Sequence, residues 1–219
     1  MGSLQTLAFL AGLGAADPSA VDLAAPVDLS GVDAVVVTGG GLSVAATTDP
    51  GRPLLATLDE SEDCAATLRV EGGVLTVDVR EQSSVWPRDC RPSLSLNLRP
   101  GADLALRPAA VSATLNGRFG AVAVEAQAAE LSLAGQARTL DLSAKALQAT
   151  LRADDPGQAI RIEAKAADLD LGFRRGTPVS WDVDARVAVV DSTIPAAAGH
   201  PPLVSIKGEF VRARIGYVD

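Results

Sequence analysis

Residues 122–127 read VAVEAQ, and the same pattern returns as LDLSAK at 140–145, IRIEAK at 160–165 and WDVDAR at 181–186. Each copy alternates apolar and variable residues, then continues with a polar residue, an alanine and a closing Gln, Lys or Arg. A degenerate copy begins with LAL at 104–106. The first positions are therefore 104, 122, 140, 160 and 181, and the steps are 18, 18, 20 and 21 residues. Self-similarity at a nearly constant period indicates a repeat architecture.

A second short alternating segment follows each copy, with turn-forming residues between the segments. These segments are ATL at 113–115, LSL at 131–133, ATL at 149–151, LDL at 169–171 and VAV at 187–189. Alternation over three to five residues is typical of β-strands, and no helical spacing is sustained here. One repeat is too small to bury its apolar face, so the repeats should stack and share one interior. The sequence predicts an all-β, right-handed parallel β-helix, or β-solenoid; a β-sandwich with evenly spaced strands is the alternative.

The domain organisation follows from this repeat. We expect a signal-like leader at 1–20 and one solenoid domain at 21–219, with irregular N-terminal strands at 21–100 and regular coils at 101–194. The glycines at 39–41 and 72–73 suggest hairpin turns in the irregular part. Residues 195–219 contain bulkier side chains and are predicted to cap the last coil. An uncapped end that joins molecules into filaments is the alternative.

Composition and the N-terminus limit the functional classes. A net charge of −8 makes nucleic acid an unsuitable partner, because phosphate contacts require clustered Lys and Arg. The apolar stretch from Leu4 to Ala16 has the length of a signal-peptide core and is too short to span a bilayer. We therefore expect an exported protein without a transmembrane span, located in the periplasm, associated with the outer membrane or secreted.

Two cysteines, Cys64 and Cys90, agree with export. They lie 26 residues apart without a CxxC or His-rich metal pattern, so a disulfide between them is the simplest expectation in an exported protein. Two buried free thiols are the alternative.

Catalytic chemistry has little support in the sequence. His200 is the single histidine and is predicted to lie in an exposed loop beside two prolines, so we do not expect a triad built on it, and a metal site with two histidines is excluded. Four outward carboxylates of one region, Asp168, Asp170, Asp182 and Asp184, could bind a cation or act on a glycosidic bond. Outward acids on a solenoid more often keep its surface hydrated, so we expect no enzyme activity, no metal and no cofactor.

The closing residues of the four copies form the best candidate for a binding site. In stacked coils, Gln127, Lys145, Lys165 and Arg186 would make one polar strip on the surface. A neighbouring row would contain Glu125, Ser143, Glu163 and Asp184. We predict that the strip binds a glycan or an envelope protein, although cross-strand pairing between the two rows would explain the same pattern.

The order of elements resembles a known family. It is carried by VVVTG at 35–39, LSV at 42–44, LRVEGGVLTV at 68–77, SLSLNL at 93–98 and LAL at 104–106. This order is similar to the head GIN domain family, bacterial envelope β-solenoid proteins named as auto-transporter adhesins, over roughly residues 30–190. The resemblance implies a β-helix outside the inner membrane. A self-exporting adhesin needs a membrane barrel of at least eight strands, for which residues 195–219 are too few.

Three functional hypotheses follow. The first is an adhesin-like envelope or cell-surface module for binding or structure, without catalysis. The second is a scaffold that self-associates through the solenoid ends. The third is a carbohydrate-active enzyme that uses the four carboxylates.

Overall fold

The chain folds as an all-β molecule. The computed structural model describes residues 26–59, 64–81, 92–154, 157, 159–195, 199 and 201–218, and the regular structure in these ranges is strand. The strands are β1 (Val27–Asp28), β2 (Ala34–Thr47), β3 (Leu55–Asp59), β4 (Cys64–Glu71), β5 (Val74–Glu81), β6 (Ser93–Asn97), β7 (Asp103–Ala153), β8 (Ala159–Arg174), β9 (Ser180–Ser192) and β10 (Leu203–Val218). They form one mixed sheet. Within the described ranges, no helix could serve as a membrane span.

The repeat region is a parallel stack. Strands β2, β7, β8, β10 and β9 are neighbours in this order, and every pair is parallel. The 51 residues of β7 include contacts between positions 18 residues apart. The Gly120 amide donates to the Ala102 carbonyl at 2.9 Å, and Lys145 Nζ donates to Gln127 Oε1 at 3.3 Å. These contacts agree with the first predicted step of 18 residues.

The apolar positions of the repeats are buried. The first apolar position of four copies is Leu104, Val122, Leu140 and Ile160, and all four are buried. The second segments contribute Leu115, Leu133, Leu151 and Leu171 to the same core. Each such side chain stabilises the fold by roughly 1.5–3 kcal/mol when it is fully buried. Burial is shared between neighbouring strands, so no single repeat would be stable alone.

The C-terminal strand β10 lies between β8 and β9. Val204 pairs with Ile160 of β8 on one side and with Trp181 of β9 on the other. The repeat predicted that the copies beginning at residues 160 and 181 would be neighbouring strands, and this is wrong, because β10 separates them. The strand within the predicted cap at 195–219 is an internal strand, and β9 lies outside it. Near this end, the Trp181 indole donates to the Ile194 carbonyl at 3.2 Å, and Ile194 is buried.

Charge favours this order of strands. Lys207 of β10 lies between Glu163 and Asp184, and Arg214 lies between Asp170 and Asp191. If β9 paired directly with β8 in the same register, Glu163 would face Asp184 and Asp170 would face Asp191. Like charges directly opposite each other destabilise a sheet. The insertion of β10 replaces these repulsions with neighbours of opposite sign.

The N-terminal region is less regular, as predicted. Strands β5 and β6 both run parallel to β2, whereas β4 is antiparallel to β5 and β3 is antiparallel to β6. The predicted turn at Gly72–Gly73 connects β4 to β5. The predicted turn at residues 39–41 is wrong, because these residues lie inside β2. The predicted leader at 1–20 lies outside the described residues.

Candidate functional site

The predicted polar strip is interrupted in the fold. Gln127 and Lys145 are hydrogen-bonded neighbours, and Lys165 follows on β8, because Ala144 and Ala146 pair with Ala164 and Ala166. Arg186 lies two strands further away, since Glu209 of β10 comes between it and Lys165. The strip therefore ends in charges of alternating sign instead of a continuous basic row.

The neighbouring charged row is also balanced within the fold. Arg107 Nε lies 4.0 Å from Glu125 Oε2, and Lys207 of β10 lies between Glu163 and Asp184 of the same row. These groups are exposed, and such pairs contribute up to about 1 kcal/mol each. Cross-strand pairing thus accounts for much of the pattern that suggested a binding strip.

The four candidate carboxylates do not come together. Asp168 and Asp170 are opposite Arg212 and Arg214 of β10, whereas Asp182 and Asp184 are opposite Ser205 and Lys207, on the earlier part of the same strand. Within the described part of the chain, no group of three or more His, Cys, Asp or Glu side chains is placed to hold a metal ion.

Asp170 has a structural role. It accepts hydrogen bonds from Arg152 Nη1 at 3.1 Å and Arg152 Nη2 at 2.8 Å. These hydrogen bonds are the main reason that the pKa of Asp170 lies below its ordinary value of 3.8; the nearby charges of Arg152 and Arg214 act in the same direction. A carboxylate held in the ionised form by a bidentate cation is a poor general acid.

A groove of about 960 Å³ crosses the parallel stack. We call it the axial groove. It follows the bend between the two strand segments of each repeat, where two consecutive side chains, such as Gln127 and Ala128, are both exposed. It passes seven successive strand positions, which are Gly41, Ala110, Ala128, Ala146, Ala166, Phe210 and Val187. Six steps of about 4.8 Å give it a length of roughly 29 Å.

The axial groove has one apolar side, an apolar floor and one polar side. The apolar side is the row that runs from Gly41 through four alanines and Phe210 to Val187, and the Phe210 side chain is 55% exposed. The polar side is the row two residues further along each strand. Its members are Ser43, Ser112, Glu130, Gln148, Asp168, Arg212 and the apolar Val189. Between the two rows lie the nearly buried Leu42, Val111, Ala129, Leu147, Ala167 and Val211.

The sequence contains a signal for this groove that lies just outside the repeated motif. The residue directly after the closing Gln or Lys is alanine in three copies, at Ala128, Ala146 and Ala166. A small apolar residue that recurs beside an exposed polar residue leaves room on the surface at the same position of every repeat. Only the fold reveals that these alanines align along one groove.

Cys64 is buried at the start of β4. Its predicted partner Cys90 and the candidate loop residue His200 lie outside the described residues. The disulfide therefore stays a prediction.

Comparisons with known proteins give limited information. No model of a known family matches the chain, and no curated protein matches it. A crystal structure from Clostridium sporogenes ATCC 15579, provisionally named a cell adhesion protein, has 9% identity and a TM-score of 0.40, covering 88% of this chain and 96% of its own. A provisionally named adhesin from Bacteroides fragilis NCTC 9343 has 10% identity and a TM-score of 0.33, covering 89% of this chain and 95% of its own. At these TM-scores, neither likeness assigns a function to this chain, and the head GIN resemblance stays a prediction.

Proposed function

We propose that this chain is an exported envelope or cell-surface module for binding, built as a right-handed parallel β-solenoid and without catalytic activity. The parallel register of β2, β7, β8, β10 and β9 supports the solenoid, as do the contacts between positions 18 residues apart in β7. The separation of the candidate carboxylates supports a role without catalysis.

The observation that carries the binding function is the axial groove. Residues at seven neighbouring strand positions line one continuous, mainly apolar groove. Large apolar surfaces rimmed by polar residues are typical of interaction sites on soluble proteins. Because the rows are fixed by main-chain pairing, the groove is formed before any ligand arrives, which lowers the entropic cost of binding.

A groove-filling variant tests this proposal. Ala146→Phe should fold, because Phe210 and Val187 occupy equivalent positions of the same row. The matched control is Ser132→Phe, at an exposed strand position that does not line the groove. Binding to isolated bacterial envelopes, measured by co-sedimentation, should fall at least fivefold for Ala146→Phe and stay unchanged for Ser132→Phe. Equal binding by both variants, or no binding by the wild type, would contradict a groove-dependent function.

The proposed compartment requires a separate test. The chain, expressed with its own N-terminus in a bacterial host, should appear in the periplasmic, outer-membrane or culture fraction. Cys64 and Cys90 should resist alkylation until a reductant is added, as read by mass spectrometry. A cytoplasmic protein with two reactive thiols would contradict export.

The outer edge of β9 favours a second candidate function, end-to-end self-assembly. Among the described strands, β9 pairs with β10 alone, and its Val189 side chain is 63% exposed. Long unpaired edges with apolar side chains readily add further strands. Sedimentation velocity should then reveal oligomers that grow with concentration and that Val189→Lys disrupts. Monomers at all concentrations would exclude this function.

A further inference from the structure

We infer that the axial groove binds an extended, neutral β-1,4-linked glycan of about six sugar units. The inference rests on the proposed binding function and names the class of ligand for the same groove.

The first argument is the repeat distance. Strand pairing places the same three side-chain rows along the groove at every step of about 4.8 Å. One sugar of a straight β-1,4-linked chain covers a comparable length, so each sugar would lie on one strand step, and alternate sugars, which are turned by half a rotation, would present opposite edges to the polar side. An extended peptide advances about 3.3 Å per residue, so its side chains would lose register with the groove within a few steps.

The second argument is the apolar side and floor. Ala128, Ala146 and Ala166 make a narrow, nearly flat row, and Ala129 and Leu147 lie beside them in the floor. The C–H faces of a pyranose ring are flat and apolar, so they can lie on such a surface. At the β10 end, the exposed ring of Phe210 offers an aromatic face on which one more sugar can stack.

The third argument is the polar side. Ser112, Glu130, Gln148, Asp168 and Arg212 place one hydrogen-bonding side chain at each of five consecutive positions. Ser112 Oγ lies 3.5 Å from Glu130 Oε2, so these neighbouring groups can act together. Carboxylates and amides accept hydrogen bonds from the hydroxyls at the edge of a sugar. A hydrocarbon chain would offer these groups no hydrogen-bonding partner.

Charge selects against acidic polymers. The polar side contains two carboxylates, Glu130 and Asp168, against the single guanidinium of Arg212. The chain as a whole has a net charge of −8. A glycan that carries carboxylates or sulfates would be repelled, which leaves neutral glycans as the favoured class.

Isothermal titration calorimetry with defined oligosaccharides tests the inference on the whole chain. Cellohexaose or chitohexaose, which are neutral and straight, should bind with a dissociation constant in the micromolar to millimolar range. Maltohexaose, whose α-linkages curve the chain, should bind at least tenfold more weakly. A ring at position 146 would stand in the middle of the alanine row and hold the neighbouring sugars away from the floor, so Ala146→Phe should weaken binding at least tenfold. Asp168→Asn should weaken it at least threefold, and Ser132→Phe less than twofold.

The possible outcomes separate the two levels of the proposal. If the wild type binds none of the neutral hexasaccharides but binds envelopes in a manner blocked by Ala146→Phe, the glycan class is wrong and the binding function stands. If neither hexasaccharides nor envelopes bind, both are wrong. Equal affinity of the wild type and Ala146→Phe for cellohexaose would place the glycan outside the groove and overturn the inference.

Discussion

Arg152 and Asp170 form the residue pair with the clearest electrostatic consequence. Their bidentate contact joins β7 to β8 across one strand step. Both side chains remain more than a third exposed, so solvent screens the interaction. Its contribution to folding should therefore stay below about 1 kcal/mol.

The pH dependence of the stability that the Arg152–Asp170 pair contributes follows from the lowered pKa of Asp170. A carboxylate whose pKa is lower in the folded chain than in the unfolded chain stabilises the folded state at any pH above its pKa in the unfolded chain. This stabilisation disappears as the pH falls through its pKa in the folded chain. Asp170→Asn should therefore reduce the free energy of unfolding at pH 7 by up to about 1 kcal/mol, and the difference from wild type should shrink below about pH 4. Urea unfolding between pH 7 and pH 3 measures this. A difference between Asp170→Asn and the wild type that is constant with pH would contradict this role of Asp170. As a control, adding Arg152→Gln to Asp170→Asn should change the free energy of unfolding little further.

Gly135 illustrates a packing requirement of single residues. Its φ is +124°, and a Cβ at this position would collide with the carbonyl oxygen of Gly117, 18 residues earlier. Gly135→Ala should lower the free energy of unfolding by about 1–3 kcal/mol from backbone strain alone, with the collision adding to it. Gly176→Ala is the matched control, because Gly176 also has a positive φ of +86° but faces open space. Equal losses of unfolding free energy for both variants in urea would show that the contact with the Gly117 carbonyl adds nothing to the backbone strain.

At the level of elements, β10 decides how the C-terminal half is assembled. Three of its charges are opposite in sign to both cross-strand neighbours, with Lys207 and Arg214 between carboxylates and Glu209 between Lys165 and Arg186. Such cross-strand neighbours contribute roughly 0.2–1 kcal/mol each. Together, these contributions favour the observed strand order over the order in which the strands follow one another along the chain.

Reversing one of these charges tests the argument. Arg214→Glu would place three carboxylates side by side, with Asp170 and Asp191 on either side. We expect it to reduce stability by about 1–2 kcal/mol at low salt, and added sodium chloride should recover part of the loss. Arg214→Gln, which removes the attraction without adding repulsion, should lose less. Equal losses for both variants, independent of salt, would mean that charge does not select the strand order.

For the whole molecule, β10 is the only described partner of β9. A chain that ends at Pro195 retains Ile194 but lacks β10. In that chain β9 should lose its main-chain hydrogen bonds, because direct pairing with β8 would oppose Glu163 to Asp184 and Lys165 to Arg186. Trypsin should then cleave after Arg186 at least tenfold faster than in the full chain, as followed by mass spectrometry. Unchanged protection would mean that β9 pairs with β8 in spite of the like charges.

Much of the candidate site could not be predicted from the repeated sequence motif. The sequence identified Gln127, Lys145 and Lys165 as one row, because their spacing equals the repeat period. It also placed Arg186 next to Lys165, which is wrong, because Glu209 comes between them from a segment more than 20 residues later in the chain. The axial groove was missed for a related reason: an exposed alanine is informative only when its neighbours on other strands are known.

The sequence alone determined that the chain is all-β, that its repeats advance by about 18 residues in β7, and that alternate Leu, Val and Ile side chains are buried. These properties are local, because strand periodicity and a repeated pattern can be read within one segment. The tertiary structure alone decided the position of β10 between β8 and β9, the separation of the four carboxylates and the alignment of the alanine row with Phe210. These depend on pairing between segments far apart in the chain, where small differences in cross-strand charge and packing select one arrangement from several with similar local patterns.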